Sequence, residues 1–156
     1  METRNEKFRR LAELRLTRVF QNMNSIANLS APKYKYTEAE ISDLFETYQK
    51  LGVECREYFK GPSRFNEMPS TFKFTAPDLP DDETSVGHDR FRYLAENRMT
   101  QVVQFTRKLA SLSVKSNYTY TKEEVNELFD AYEQKGHEVE SLFLPLTEEF
   151  HFKPKD

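Results

Sequence analysis

The stretch Phe-Arg-Arg-Leu-Ala-Glu-Leu-Arg at residues 8–15 returns as Phe-Arg-Tyr-Leu-Ala-Glu-Asn-Arg at residues 91–98. A second pair of stretches follows in the same order, since Tyr-Lys-Tyr-Thr at residues 34–37 returns as Tyr-Thr-Tyr-Thr at residues 118–121. Self-similarity at a fixed spacing is the signature of a repeated supersecondary unit. The sequence therefore predicts two copies of one unit in tandem.

Each copy reads as two amphipathic helices joined by a short aromatic loop. Apolar residues recur at helical spacing over residues 8–27 and 91–110, and neither run contains Pro or Gly. A capping box at residues 37–40, and again at residues 121–124, then marks the start of the second helix, because a Thr is followed three residues later by a Glu. The pattern predicts four helices.

These elements predict an all-α fold in which two tandem helical hairpins form a pseudo-two-fold four-helix bundle. The hairpins occupy residues 1–60 and 90–156, and residues 61–89 form a linker that contains several prolines. We expect the two hairpins to share one core. Because the second copy supplies what a homodimer partner would otherwise supply, we expect a monomeric pseudo-dimer.

A Phe-x-Phe motif follows each hairpin, at residues 72–74 and again at residues 150–152. Such alternation suits a short extended arm with both rings on one side. The arms either cover an open end of the core or provide a docking strip for a partner. The candidate partner-binding residues are the aromatics of the loops and arms: Tyr34, Tyr36, Tyr118, Tyr120, Phe72, Phe74, Phe150 and Phe152.

Two further features recur in both copies. Arg15 and Arg98 lie at the edge of the apolar face of the first helix, and an antiparallel hairpin would bring Glu54 and Glu138 to matching heights beside them. We therefore expect the structural ion pairs Arg15–Glu54 and Arg98–Glu138. A glycine also recurs within the second helix, at positions 52 and 136, which indicates a close helix crossing or a local helix end, with a functional hinge as the alternative.

Charge is divided between the helices, since the first helix of the first copy is rich in Arg and the second is rich in Glu and Asp. Attraction between neighbouring helices is the simplest explanation. The alternative is a basic strip that binds RNA or DNA phosphates, with the loop tyrosines stacking on bases. Its candidate nucleic-acid-binding residues are Arg9, Arg10, Arg18, Arg92, Arg107 and Lys108.

Composition argues against several functional classes. The net charge of -3 gives no general attraction to nucleic acid or to an anionic membrane. The three histidines are scattered, the single Cys55 lies on a helical stripe, and no phosphate loop, nucleophile elbow or metal-ligand spacing is present. We therefore expect a cytoplasmic protein that is not an enzyme and has no catalytic residues, no metal and no cofactor.

The second copy resembles a group of small uncharacterised bacterial, phage and plasmid proteins that contain one such helical hairpin. Leu-Ala-Glu-x-Arg at residues 94–98, Asn-Tyr-x-Tyr-Thr at 117–121 and Leu-Phe-x-Ala at 128–131 carry the resemblance. The first copy matches more loosely, because Pro-Lys replaces a Ser-Asn step at residues 32–33. The resemblance implies a phage or mobile-element context, in which small acidic helical proteins inhibit or adapt host machinery.

These observations favour a non-enzymatic protein-binding module, and the resemblance implies an inhibitor or adaptor of host defence machinery. An RNA- or DNA-binding helical module is the alternative. Mobility of nucleic acid in the presence of the protein across a salt series separates the two, because phosphate binding weakens steeply with salt.

The two capping boxes predict the effect of removing their hydroxyls. Thr37→Ala and Thr121→Ala should each lower the free energy of unfolding by about 0.5–2 kcal/mol, because each leaves a backbone N–H of the first helical turn without its acceptor. Urea denaturation followed by circular dichroism measures both. Two neutral substitutions would mean that the helices begin elsewhere.

Overall fold

The computed structural model describes residues 1–145 and 148–155 and contains four α-helices. They are α1 (Arg4–Ala27), α2 (Glu38–Glu57), α3 (Val86–Ala110) and α4 (Lys122–Glu140), and a short 3-10 turn follows both α1 and α3. No β-strand occurs in the described residues, so the all-α prediction is confirmed. No helix among the described residues is long and apolar enough to cross a bilayer.

The starts of α2 and α4 agree with the sequence, whereas α3 begins at Val86, within the predicted linker of residues 61–89. The Thr37 and Thr121 hydroxyls accept hydrogen bonds from the Glu40 and Glu124 backbone N–H groups, and both glutamates accept from the threonine N–H in return. A third capping box, between Thr3 and Glu6, begins α1. α1 and α3 end at Ala27 and Ala110, where the apolar periodicity of the first helices also ends.

The arrangement of the helices differs from the predicted one, in which the two helices of each hairpin would pack against one another. α1 packs against α3 and α4, and α2 packs against the same two helices, whereas α1 and α2 have little direct contact. The same holds for α3 and α4, so the helices of one unit lie on opposite corners of the bundle. Each unit therefore buries its apolar faces against the other unit.

This arrangement overturns the predicted ion pairs Arg15–Glu54 and Arg98–Glu138. Arg15 donates instead to the carbonyl oxygen of Lys108 at 2.7 Å, and Arg98 donates to the carbonyl oxygen of Ser25 at 2.6 Å. The two glutamates are exposed, and Glu138 pairs with Lys135 on its own helix at 3.3 Å. The physical reason is that the diagonal helices are too far apart for the predicted pairs to form.

The arginine contacts also fix the direction of the helices. Residue 15 of α1 meets residue 108 of α3, and residue 98 of α3 meets residue 25 of α1, so the two helices are antiparallel. Each guanidinium reaches a carbonyl in the last turns of the opposite helix, where backbone oxygens lack helical partners and the dipole attracts cations. Positive side chains thus cap both helix ends.

The core is one cluster that contains residues of all four helices. One end holds Phe8, Phe59, Tyr120 and Phe129, whose neighbouring rings have centroids 5.1–6.3 Å apart. The corresponding aromatics of the other copy make a similar set at the other end: Phe91, Phe143, Tyr36 and Phe45.

Two buried tyrosines join α2 to α4. The rings of Tyr48 and Tyr132 are stacked, with centroids 4.2 Å apart and planes inclined by 2°. Each hydroxyl donates to the main-chain carbonyl of the other residue, at 2.6 and 2.9 Å. Gly52 and Gly136 lie against these rings, so a side chain at either position would collide with the facing tyrosine. The predicted close helix crossing is confirmed.

We expect Gly52→Ala and Gly136→Ala each to lower the free energy of unfolding by about 1–3 kcal/mol through overpacking. A Cβ at Gly136 would lie 2.5 Å from Cε1 of Tyr48, so the ring would have to leave its stacked position. Gly61→Ala is the matched control, because no atom lies within 4 Å of a Cβ placed there. Thermal and urea denaturation measure the three variants, and equal stabilities would contradict the close crossing.

Candidate functional site

A groove between α2 and α3 is filled by part of the linker. We call residues 70–78 the first arm and this groove the filled groove; its walls carry Asp43, Glu96 and Thr100. The backbone N–H of Phe72 donates to the Thr100 hydroxyl at 3.0 Å, and that of Phe74 donates to the Glu96 carboxylate at 3.0 Å. The first arm is therefore held through its main chain.

Asp43 of α2 completes the polar contacts. Its Oδ2 accepts from the N–H of Thr75 at 2.6 Å and from the N–H of Ala76 at 3.0 Å. Because an ionised carboxylate is a strong acceptor for backbone N–H groups, these contacts fix the direction and register of the arm. The arm runs antiparallel to α3.

The two phenylalanines of the first arm point into the bundle. Phe72 is 4% exposed, and Phe74 packs against Phe91 with centroids 6.1 Å apart. The two arm rings meet edge to face, with centroids 5.1 Å apart and planes at 82°. The guanidinium of Arg92 lies 4.7 Å above the Phe74 ring, a cation–π contact. Phe72 is thus part of the core, and Phe74 is half-buried against it.

A buried charged cluster lies at the end of the filled groove. Glu40 and His88 are 0% and 1% exposed, and Nε2 of His88 lies 2.9 Å from the Glu40 carboxylate. Arg92 donates to the same carboxylate at 2.8 Å and to the carbonyl of Ala76 at 3.1 Å. A buried carboxylate needs such partners, because desolvation of an unpaired charge is costly. The cluster joins α2, α3 and the first arm.

The same region contains three side chains that could each offer a metal ligand. The ligand atoms of Asp78, His88 and Asp89 lie within 4.8 Å of one another. However, Nε2 of His88 already contacts Glu40, and its Nδ1 lies 3.2 Å from the Thr84 hydroxyl. Since both ring nitrogens are engaged, this geometry favours a structural role for His88 over metal binding.

The surroundings of Cys55 do not favour a role as a nucleophile. It is buried in α2, and its Sγ lies 3.4 Å from the carbonyl oxygen of Thr106. Burial raises the pKa of the Cys55 thiol, which disfavours the reactive thiolate. Its geometry is that of a core residue.

A second groove, between α1 and α4, is open to solvent. Glu13, Thr17 and Glu127, which are all exposed, stand on its walls at the repeat positions of the residues that hold the first arm. The groove has a volume of about 400 Å³. We call it the open groove; its apolar lining consists of Phe8, Ala12, Leu16, Phe20, Leu128 and Ala131.

At the edge of the open groove, Glu124 has a role like that of Glu40. It closes the capping box of α4, and it accepts from the side chains of Arg9 and Asn5, the latter at 2.9 Å. Asn5 also donates to the carbonyl of Thr119 at 3.0 Å. The Glu124 carboxylate is therefore already paired with Arg9. Glu13 and Glu127, by contrast, form no ion pair within residues 1–145 and 148–155.

The C-terminal arm, residues 148–155, does not cover the open groove. Phe150 and Phe152 are 75% and 88% exposed. Their rings nevertheless meet edge to face, with centroids 5.0 Å apart and planes at 83°, much like the two phenylalanines of the first arm. Large aromatic side chains exposed together typically mark a contact surface.

The loop tyrosines divide into two kinds. Tyr36 packs against Phe91, and Tyr120 packs against Phe8, with centroids 5.3 and 5.2 Å apart. These two rings help to close the ends of the core. Tyr34 and Tyr118 are half-buried and lie under lysine side chains.

The basic residues of the nucleic-acid alternative are not gathered into one free strip. Arg9, Arg10 and Arg92 pair with the carboxylates of glutamates, and Arg18 donates to Gln21 at 3.0 Å. Arg107 is half-buried, and Lys108 is exposed near the ring of Phe105. Neighbouring carboxylates weaken the attraction of the paired arginines for phosphate.

Sequence reasoning missed the two grooves. It interpreted Glu40 and Glu124 as caps alone, although each also binds an arginine of the other unit. The signal available in the sequence was a spacing that occurs in both halves of the chain: each Phe-Arg pair is followed at the same distances by a Glu and a Thr, at residues 13 and 17 and at residues 96 and 100. That spacing did not reveal which helix would lie opposite.

Comparison of the chain with protein-family models, with curated proteins and with solved structures found no match in any of the three. A functional proposal for this chain therefore rests on its own residues and geometry.

The two arms predict a contrast in stability. Phe72→Ala should lower the free energy of unfolding by about 3–5 kcal/mol, because it leaves a cavity in the core. Phe150→Ala, at the exposed equivalent, should change it by less than about 0.5 kcal/mol. Urea denaturation of the two variants tests this. A large loss in Phe150→Ala would show that the C-terminal arm is packed in solution.

Proposed function

We propose that this chain is a non-enzymatic protein-binding module that contacts its partner through the C-terminal arm. One observation carries the proposal: Phe150 and Phe152 form an edge-to-face aromatic pair that remains largely exposed. Burial of two such rings in a partner would remove a large apolar area from water.

The tandem, pseudo-two-fold architecture belongs to the same proposal. Its support is reciprocity: the two central tyrosines exchange hydroxyl–carbonyl bonds, and Arg15 and Arg98 exchange equivalent contacts with the opposite helix. We infer that the two units complete one core as a monomeric pseudo-dimer. The departure from symmetry then lies in the arms, one of which is buried and one exposed.

The resemblance to small phage and plasmid proteins extends the proposal to a setting. A cytoplasmic inhibitor or adaptor of host defence machinery would need a binding surface and no catalytic centre. The buried Cys55 and the engaged nitrogens of His88 are compatible with that function. RNA or DNA binding remains the alternative proposal, but the pairing of Arg9 and Arg92 with glutamates does not favour it.

The test uses the full chain as bait for proteins of a bacterial lysate, followed by a binding assay with the purified partner. We expect the double substitution Phe150→Ser and Phe152→Ser to abolish binding without loss of helicity. Phe65→Ser is the matched control, because Phe65 is 82% exposed but lies in the linker. Retained binding by the arm variant would contradict the proposal. Salt-sensitive retardation of RNA or DNA without protein binding would favour the alternative.

A further inference from the structure

The open groove repeats the chemistry of a groove whose occupant is known. The first arm lies in the filled groove. Thr100, Glu96 and Asp43 accept hydrogen bonds from four of its backbone N–H groups, those of residues 72, 74, 75 and 76. The aligned positions of the open groove are Thr17, Glu13 and Glu127. The filled groove is thus an internal template for what the open groove can bind.

The floor of the open groove also repeats its template. Phe8 stands at the repeat position of Phe91, which packs against Phe74 of the first arm, and Ala12 and Leu128 repeat the buried Ala95 and Leu44. The volume of about 400 Å³ is within the range of pockets that bind ligands. Two aromatic side chains of an extended segment would find apolar contacts there.

Charge specifies the occupant further. Glu13 and Glu127 project exposed carboxylates with no ion pair in the part of the chain that the structure describes. In the filled groove, Lys73 between the two phenylalanines lies 3.9 Å from Glu96, the counterpart of Glu13. The groove lining also holds Arg9, which pairs with Glu124, so three carboxylates (Glu13, Glu124 and Glu127) face one guanidinium. This net negative lining suits a basic residue between two phenylalanines and disfavours nucleic-acid phosphates.

The chain's own C-terminal arm reproduces the first arm poorly. The connection from Phe59 to Phe72, residues 60–71, includes the buried Met68 and Asn66, whose side-chain amide donates to the Arg107 carbonyl at 2.9 Å. The connection from Phe143 to Phe150 has only residues 144–149 and lacks both anchors. Pro154 also takes the place of an arm residue whose N–H binds Asp43, and proline has no N–H.

We propose that the open groove binds an extended segment of a partner protein with the pattern Phe-basic-Phe, followed by two residues that have free backbone N–H groups. The segment binds in the orientation of the first arm, antiparallel to α1. Thr17 accepts from the N–H of its first Phe, Glu13 from that of its second, and Glu127 from the next two. This proposal deepens the protein-binding function, and it adds a second contact surface that is independent of Phe150 and Phe152.

The probe is a fluorescein-labelled peptide with the sequence of residues 70–78, Ser-Thr-Phe-Lys-Phe-Thr-Ala-Pro-Asp, titrated with the full chain and followed by fluorescence anisotropy. We expect saturable binding that disappears when both Phe residues of the peptide are replaced by Ser. Glu13→Ala and Glu127→Ala should each weaken binding about tenfold, because each removes a charged hydrogen-bond acceptor. Asp130→Ala is the matched control, an exposed acid of α4 outside the groove lining.

Circular dichroism checks that the Glu13→Ala, Glu127→Ala and Asp130→Ala variants are folded. Each of the following four outcomes would overturn the proposal. Equal weakening by Asp130→Ala would mean nonspecific charge attraction. Binding that appears only when the chain ends at residue 147 would identify its own C-terminal arm as the occupant. A dimer that Phe150→Ser and Phe152→Ser dissociate would identify a second copy. Absence of peptide binding in all variants would reject the groove, while partner binding through Phe150 and Phe152 could still stand.

Discussion

The structure depends on the burial of each unit's apolar faces against the other unit. α1 and α2 hardly touch, so neither unit has a core of its own within the described residues. Hydrophobic burial, the main favourable term in folding, is therefore obtained only when all four helices assemble. The stacked Tyr48 and Tyr132 rings and the carbonyl contacts of Arg15 and Arg98 then fix the relative positions of the helices.

The same crossing arrangement creates two grooves. Because α2 runs beside α3 and α4 runs beside α1, each pair leaves a groove between parallel helices. The filled groove is closed by the first arm, whose backbone is bound by Asp43, Glu96 and Thr100. The other keeps equivalent side chains exposed to solvent. One groove thus contributes to the stability of the bundle, whereas the other is open to solvent.

The buried cluster of Glu40, His88 and Arg92 explains why the two sides differ. Glu40 contacts a histidine and an arginine, and Arg92 also holds the first arm through the carbonyl of Ala76. On the other side, Glu124 contacts Asn5 and an Arg9 side chain that is 63% exposed. The arm therefore shields one cluster from water, which strengthens its electrostatic interactions. No arm covers the cluster around Glu124, so the neighbouring open groove is exposed to solvent.

The sequence by itself determined the four helices and the starts of α2 and α4, because periodicity and capping boxes such as Thr37–Glu40 are local signals. It also located the close crossing at Gly52 and Gly136, since only glycine leaves room for a facing ring. Tertiary structure alone decided which helices are neighbours, and so replaced the expected Glu54 and Glu138 partners of the two arginines by backbone carbonyls. It also decided which arm is buried. Both outcomes depend on contacts between residues far apart in sequence, and helical periodicity specifies which face is apolar but not which helix covers it.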